Sequence, residues 1–190
     1  AGSRSAQGLS TIEQAAADAG LDAIHPIAID VTDDASVAAA FATVLADGPV
    51  DVLVNNAGIT GAGSVEETDI ATFQAMFDTN VLGVVRCTQQ VLPGMRAANA
   101  GRIVNISSSS AITSPPLMGA YASTKFAVES ISESLQGEVA PFGIRVIAIQ
   151  AGTILTPIWG KSEAPPADTA YPQARDFLLQ VLTHQLTNSG

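Results

Sequence analysis

The 190 residues carry 8 Lys+Arg against 18 Asp+Glu, and the formal net charge of −10 argues against nucleic-acid or anionic-membrane partners. A single cysteine, Cys87, precludes an internal disulfide, and His25 and His184 lack a second His or Cys at ligand spacing, so no metal site is expected. With 47% hydrophobic residues and no apolar run near the ~18 of a membrane span, the expectation is one soluble, cytoplasmic domain over residues 1–190.

The chain opens with "AGSRSAQGLS", where Gly2, Ala6 and Gly8 have the spacing of a relaxed phosphate-binding glycine loop. Such a loop works only between a buried strand and a helix, and no strand pattern is read before Gly2. An alanine-rich helix is predicted over 11–19, stopped by Gly20, and a short apolar strand over 23–29. A helix over 34–46 ends at Gly48-Pro49. "VDVLV" (50–54) reads as a strand buried on both faces of a parallel sheet. One long helical pattern covers 67–98, with Pro93 kinking or ending it, and Cys87 within it reads as a small buried residue. "RIVNIS" (102–107) is a strand, 119–140 a long helix closed by Pro141 and Gly143, and "IRVIAI" (144–149) another strand. A proline-bearing loop over 160–170 leads to a last helix over 174–186. Alternation at this spacing predicts an α/β fold with a parallel sheet.

In "YASTK", Tyr121 and Lys125 stand i, i+4 and share a helix face. A phenol has a pKa near ~10, and an adjacent ammonium favours the phenolate, which would make Tyr121 a general acid/base. Ser108 follows a strand, as do "NNAG" (55–58), "DVTD" (30–33) and "AGTILT" (151–156), and ligands of open α/β sheets collect at such strand ends. Asn80 lies in the long helical pattern between them. Taken singly, each fragment has a plain structural reading as a cap or turn.

In this order and spacing, over residues 3–156, the set resembles the short-chain dehydrogenase/reductase family. The resemblance implies a Rossmann-like, doubly wound parallel sheet and an NAD(P)-dependent oxidoreductase. It implies Tyr121 as proton donor and acceptor, Lys125 as its activator and a ligand of the nicotinamide ribose, and Ser108 as the donor orienting the substrate oxygen. Asn80 would hold a water on the proton path. Asp30 and Val31 would contact the adenine, Asn56, Ala57 and Gly58 the adenosine side, and Gly152, Ile154 and Thr156 the nicotinamide carboxamide. Ala151 stands where relatives usually carry proline. The helices over 67–98 and 119–140 are those through which the family forms homodimers or homotetramers.

In that register "AGSR" matches the end of the family's second strand, so the glycine pattern is a decoy. The phosphate loop would belong to an upstream strand–helix–strand unit of roughly 30–40 residues, and a final strand would follow the last helix. The chain thus reads as a portion of a longer enzyme, or as a truncated product expected to bind dinucleotide poorly by itself. Arg4, just after the second strand, favours NADP over NAD. The loop beyond Thr156 resembles the hydroxysteroid- and retinol-dehydrogenase-like part of the family. With Ile112, Leu117, Met118, Ile158 and Trp159 available, the expected small-molecule substrate is a hydrophobic secondary alcohol or ketone. The competing reading is a non-catalytic relative that keeps the fold and an oligomer surface.

Overall fold

The computed structural model describes residues 1–152 and 165–187, and in them short strands alternate with helices in chain order. The elements are β1 (Gly2–Ser3), α1 (Ala6–Asp18), β2 (Ile27–Ala28), α2 (Asp34–Leu45), β3 (Val52–Asn55), α3 (Ile70–Phe77), α4 (Gly83–Ala98), β4 (Gly101–Ser108), α5 (Gly119–Val139), β5 (Ile144–Ala151) and α6 (Pro172–Thr187). All pairings are parallel: β1 with β2, and β3–β4–β5 with β4 in the centre. The carboxyl ends of β3, β4 and β5 therefore lie along one edge, where Asn55, Ser108 and Ala151 terminate the strands.

Short polar side chains set the helix starts. Ser5, Asp33 and Asp69 accept from Gly8, Ala35 and Thr72 N–H respectively, each such cap being worth about 1 kcal/mol. The Ser5 cap is why α1 begins at Ala6 and not at residue 11. The pattern over 67–98 divides into α3, a π-helical turn (Asp78–Leu82) and α4. Pro93 does not end α4, which continues until Asn99 adopts a left-handed φ of 50°. The strand predicted over 23–29 contracts to Ile27–Ala28, matching the two residues of β1 that pair with it.

The main core is built by Val37 and Phe41 of α2, Val91 and Met95 of α4, Leu135 and Val139 of α5, and Ile103 of β4, with Cys87 buried among them. Leu53 and Val146 pack against this face of the sheet. Burial of "VDVLV" on both faces does not hold. Val52 and Val54 are 48% and 55% exposed, because strand alternation turns them to the face away from this core, beside Ile147. The two sheets do not hydrogen-bond to each other. An apolar groove of about 550 Å³ lies between them, lined by Gly2, Ile27 and Ile29 on one side and Leu53 and Val54 on the other. Among the described residues no helix is long and apolar enough to cross a membrane.

A buried polar ladder crosses the core. Asn55 Nδ2 donates to Asn105 Oδ1 (2.8 Å) and to Thr88 Oγ1 (3.3 Å); Asn105 Nδ2 donates to Ser132 Oγ (2.8 Å), which donates to Val128 O (2.6 Å). It joins α4, β3, β4 and α5. Asn105→Ala strands a donor on one side and an acceptor on the other, so urea unfolding should show a loss of about 2–4 kcal/mol. A loss below about 1 kcal/mol would mean that the ladder does not hold α5 to the sheet.

Candidate active site

Strand β4 delivers Ser108 in extended backbone, and its Oγ accepts from Ser110 N at 3.1 Å to cap the 3-10 turn Ser109–Ala111. The chain then returns at Gly119 into α5, which puts Tyr121 on its first turn and Lys125 one turn on. The Tyr121 phenol is half-buried, and the Ser108 hydroxyl is the polar side chain that acts on it. Lys125, 7% exposed, donates from Nζ to Ile106 O at 2.8 Å, and its Nζ stands 5.7 Å from the Tyr121 ring centroid. These three side chains line one cleft of about 550 Å³ together with Asn56, Gly58 and Gly152.

The electrostatics differ from the sequence expectation. Burial pushes the Tyr121 phenol above its ordinary pKa, and the nearby Ser108 hydroxyl offsets this only in part. The same burial lowers Lys125 to about 8. The ammonium therefore does not draw the phenol down here, because its own charged form is penalised by the same desolvation and it is engaged with Ile106 O.

Asn80 lies in the π-helical turn, 1% exposed. Its Oδ1 accepts from Ile59 N (2.8 Å), and its Nδ2 donates to Ile59 O (2.9 Å) and Thr124 Oγ1 (3.1 Å). Both N–H donors are thus committed to protein, and only the oxygen has spare capacity for a water. Thr124 Oγ1 in turn donates to Tyr121 O at 2.7 Å, so the clasp joins the "NNAG" loop to the first turn of α5. A Cβ on Gly58 would meet Asn80 Oδ1 at 3.4 Å and Lys125 Nζ at 3.9 Å; glycine keeps that space open.

The other expected residues fall in two places. Ala57 and Val31 line the groove between the sheets, and Asn56 lines both that groove and the cleft. Asp30, beside Val31, accepts from Thr32 N (3.0 Å) and Thr32 Oγ1 (2.7 Å), and these bonds hold its carboxyl below the ordinary range. Arg4 Nη1 is 4.0 Å from Asp30 Oδ2 with a largely exposed side chain. Met118 is a buried wall of the cleft, whereas Ile112 lines it but is 65% exposed. Leu117 lies beneath, packed with Met118 and Leu178. Ile154, Thr156, Ile158 and Trp159 are outside the described residues.

Sequence reasoning missed Ile59, whose backbone is the partner of Asn80, and the α6 residues Leu178, Val181 and Leu182 that form a wall of the cleft. Their spacing of three and four was the available signal. It also missed Ser107, buried at 2% on the cleft with no hydrogen-bond partner for its Oγ.

Residues 2–167 match the family model described as short chain dehydrogenase. The chain belongs to the short-chain dehydrogenase family. An uncharacterized oxidoreductase of Bacillus subtilis is 39% identical over 183 residues, covering 94% of this chain and 65% of its own. Human retinol dehydrogenase 8 is 37% identical over 162 residues, covering 85% and 51% respectively. The chain thus spans about half to two-thirds of the length of these curated relatives. A short-chain dehydrogenase from Streptomyces avermitilis superposes with a TM-score of 0.85 at 36% identity, over 96% of this chain and 67% of that one. ElxO with NADP bound (TM-score 0.78, 33% identity, 84% and 65% covered) and an NAD+-bound xylitol dehydrogenase (0.78, 29%, 84% and 62%) share the fold.

The buried Lys125 costs the fold stability. Its folded pKa lies below the unfolded value, so the unfolded chain binds more protons between about 8 and 10.5 and stability rises as pH climbs through that window. Below it the penalty is complete, on the order of 3 kcal/mol before the bond to Ile106 O is set against it. Lys125→Met is therefore expected to melt no lower than wild type near neutral pH, with the difference shifting towards wild type near pH 10. A variant less stable at neutral pH would show that the ammonium is a net stabiliser.

Proposed function

We propose that the protein interconverts a hydrophobic secondary alcohol and its ketone by transfer of hydrogen to or from a nicotinamide cofactor, NADP in preference to NAD. The observation that carries this reading is that Tyr121, Ser108 and a buried Lys125 line one apolar-walled cleft. The cofactor fits the residues present. The space kept open at Gly58 lies beside the Lys125 ammonium, and the Ser107 hydroxyl is buried on the cleft with its hydrogen bonds unmade. Lys125 and Gly152 would hold its nicotinamide half, and Asn56, Ala57, Gly58 and Val31, with Asp30 beside Val31, its adenosine side towards the groove. When bound, it would supply the carbon centre that gives or takes the hydride equivalent.

The side chains supply position and a proton. Ser108 Oγ donates to the substrate oxygen and fixes it beside Tyr121. In the reducing direction the Tyr121 phenol, kept neutral by burial, donates its proton to the developing alkoxide. Lys125, near pKa 8, stabilises the phenolate left behind. Asn80 serves mainly by pinning Ile59 and Thr124, which keeps Gly58 and Tyr121 in place. Met118, Leu178 and Leu182 give the cleft an apolar wall that favours a hydrophobic substrate, in keeping with the likeness to a retinol dehydrogenase. Arg4, largely in solvent and paired with Asp30 only at 4.0 Å, is placed to exchange that contact for a 2′-phosphate. Self-association through α4 and α5, as a homodimer or homotetramer, is supported by the exposure of Phe126 (45%) on α5.

Tyr121→Phe in the full-length protein should lower kcat/KM about a thousandfold while cofactor affinity stays within about twofold. Retention of a tenth or more of the activity would overturn the assignment of Tyr121. Wild-type turnover of sugars with none of apolar ketones would overturn the substrate class. Arg4→Ala should lower kcat/KM with NADPH about tenfold and leave NADH unaffected, as loss of one guanidinium–phosphate pair requires. An equal effect on both cofactors would remove the basis for NADP.

A further inference from the structure

Helix α6 reaches the cleft without a strand of its own among the described residues to locate it. Leu178, 1% exposed, packs on Leu117 and Met118, with Leu182 and Tyr121 at the border of the same cluster. Those contacts are apolar and fix distance loosely. The directional bonds lie about two turns earlier, on the segment entering the helix. Glu67 Oε2 accepts from Thr169 Oγ1 (2.6 Å) and Ser64 Oγ (2.7 Å), and Glu67 Oε1 accepts from Ala170 N (2.7 Å). Glu66 takes the Tyr171 hydroxyl. Two neighbouring carboxylates thus grip three successive residues about a hundred positions away in the chain.

The grip is anchored on the cleft side as well. Ser64 is buried, and its Oγ also accepts from Glu67 N (3.1 Å), closing the loop on itself. Gly63 N donates to Leu117 O (2.8 Å), so this loop holds the residue on which Leu178 rests. Leu117 is in turn held in left-handed backbone, φ 64°. The loop over 63–67, the turn at Leu117–Met118 and the start of α6 form one unit. Three hydrogen bonds on one carboxylate also keep Glu67 ionised below the ordinary range.

We propose that Glu67 is a positioning residue for substrate selection: by gripping Thr169 and Ala170 it sets how closely the α6 residues Leu178 and Leu182 stand to Tyr121, and so how long an apolar substrate fits. The proposal rests on the cleft being the substrate site. Glu67 touches neither substrate nor cofactor in this arrangement; it acts through α6.

The test uses Glu67→Ala and Glu67→Gln in the full-length protein, with a homologous series of methyl ketones, cofactor titration by fluorescence, and hydrogen exchange over 165–182. In Glu67→Ala the amides at the start of α6 should exchange about tenfold faster, and KM for the longest ketones should change about tenfold. KM for the shortest ketone and cofactor affinity should stay within about twofold. Glu67→Gln, which keeps one acceptor oxygen, should fall between. Unchanged exchange, or faster exchange with an unchanged KM series, would overturn the proposal. A uniform fall in kcat, cofactor affinity and melting temperature would reduce Glu67 to a general stabiliser and overturn it likewise. If wild type reduces no apolar ketone, the substrate reading fails by itself, and Glu67 is judged by exchange and by KM across whatever alcohols wild type oxidises.

Discussion

The angle at which α5 lies on β4 is the constraint from which the site follows. Two bonds set it: Asn105 to Ser132 deep in the core, and Lys125 to Ile106 O nearer the strand end. A helix held at two points along one face cannot roll, and its first turn must then meet the residues that end the strand. Tyr121 consequently faces Ser108, whatever the loop between them does. The Asn80–Thr124 bond fixes the same turn from the opposite side, and through Ile59 it aligns the end of β3. The chemistry is carried by a few atoms, but their placement is a property of the sheet and of two helices packed on it.

That placement is bought against solvation. The Lys125 ammonium, at 7% exposure, and a Tyr121 phenolate are the forms that burial penalises, so the phenol rests neutral. A negative charge formed there would meet the nearby ammonium where water is excluded, and the attraction between the two would be stronger than in solvent. The same low polarity that defeats phenolate formation at rest strengthens the Lys125 interaction once the charge moves.

Several of these features could be read directly from the residues, and the physical reasons are specific. Ser5, Asp33 and Asp69 are short acceptors ahead of apolar periodicity, a local signal that periodicity alone does not use: it starts the first helix at 11 and not at Ala6, and the third at 67 and not at Ile70. Strand–helix alternation and the family motif gave the parallel order, because both depend on near neighbours in the chain. Long-range partners left no comparable mark. Glu67 meets Thr169 across the whole site, and in sequence it looks like one more acid in an acidic helix. The π-helical turn at Asn80 leaves no mark in the sequence pattern, since one extra residue hardly disturbs the periodicity. Val52 and Val54 looked like interior residues because hydrophobicity reports what a face could bury and is silent about what covers it.

The acidity of the chain bears on this site in a way the net figure hides. A total of −10 opposes a polyanion, which must lay many phosphates along a surface and feels the summed field. A dinucleotide is a small anion, and at a Debye length of about 8–10 Å it responds to the charges close by. Near the crevice the cations are arranged differently from the average. Arg86 is spoken for by Asp34 and Asp78, at 2.5 and 2.7 Å. Lys125 is screened from solvent by burial, and Arg4 is shared with Asp30 only at 4.0 Å. Asp30 has its own hydrogen bonds from Thr32, so it does not depend on Arg4 for satisfaction. An incoming phosphate could therefore recruit Arg4 without leaving a carboxylate stranded, and a strongly acidic protein is thereby compatible with an anionic cofactor.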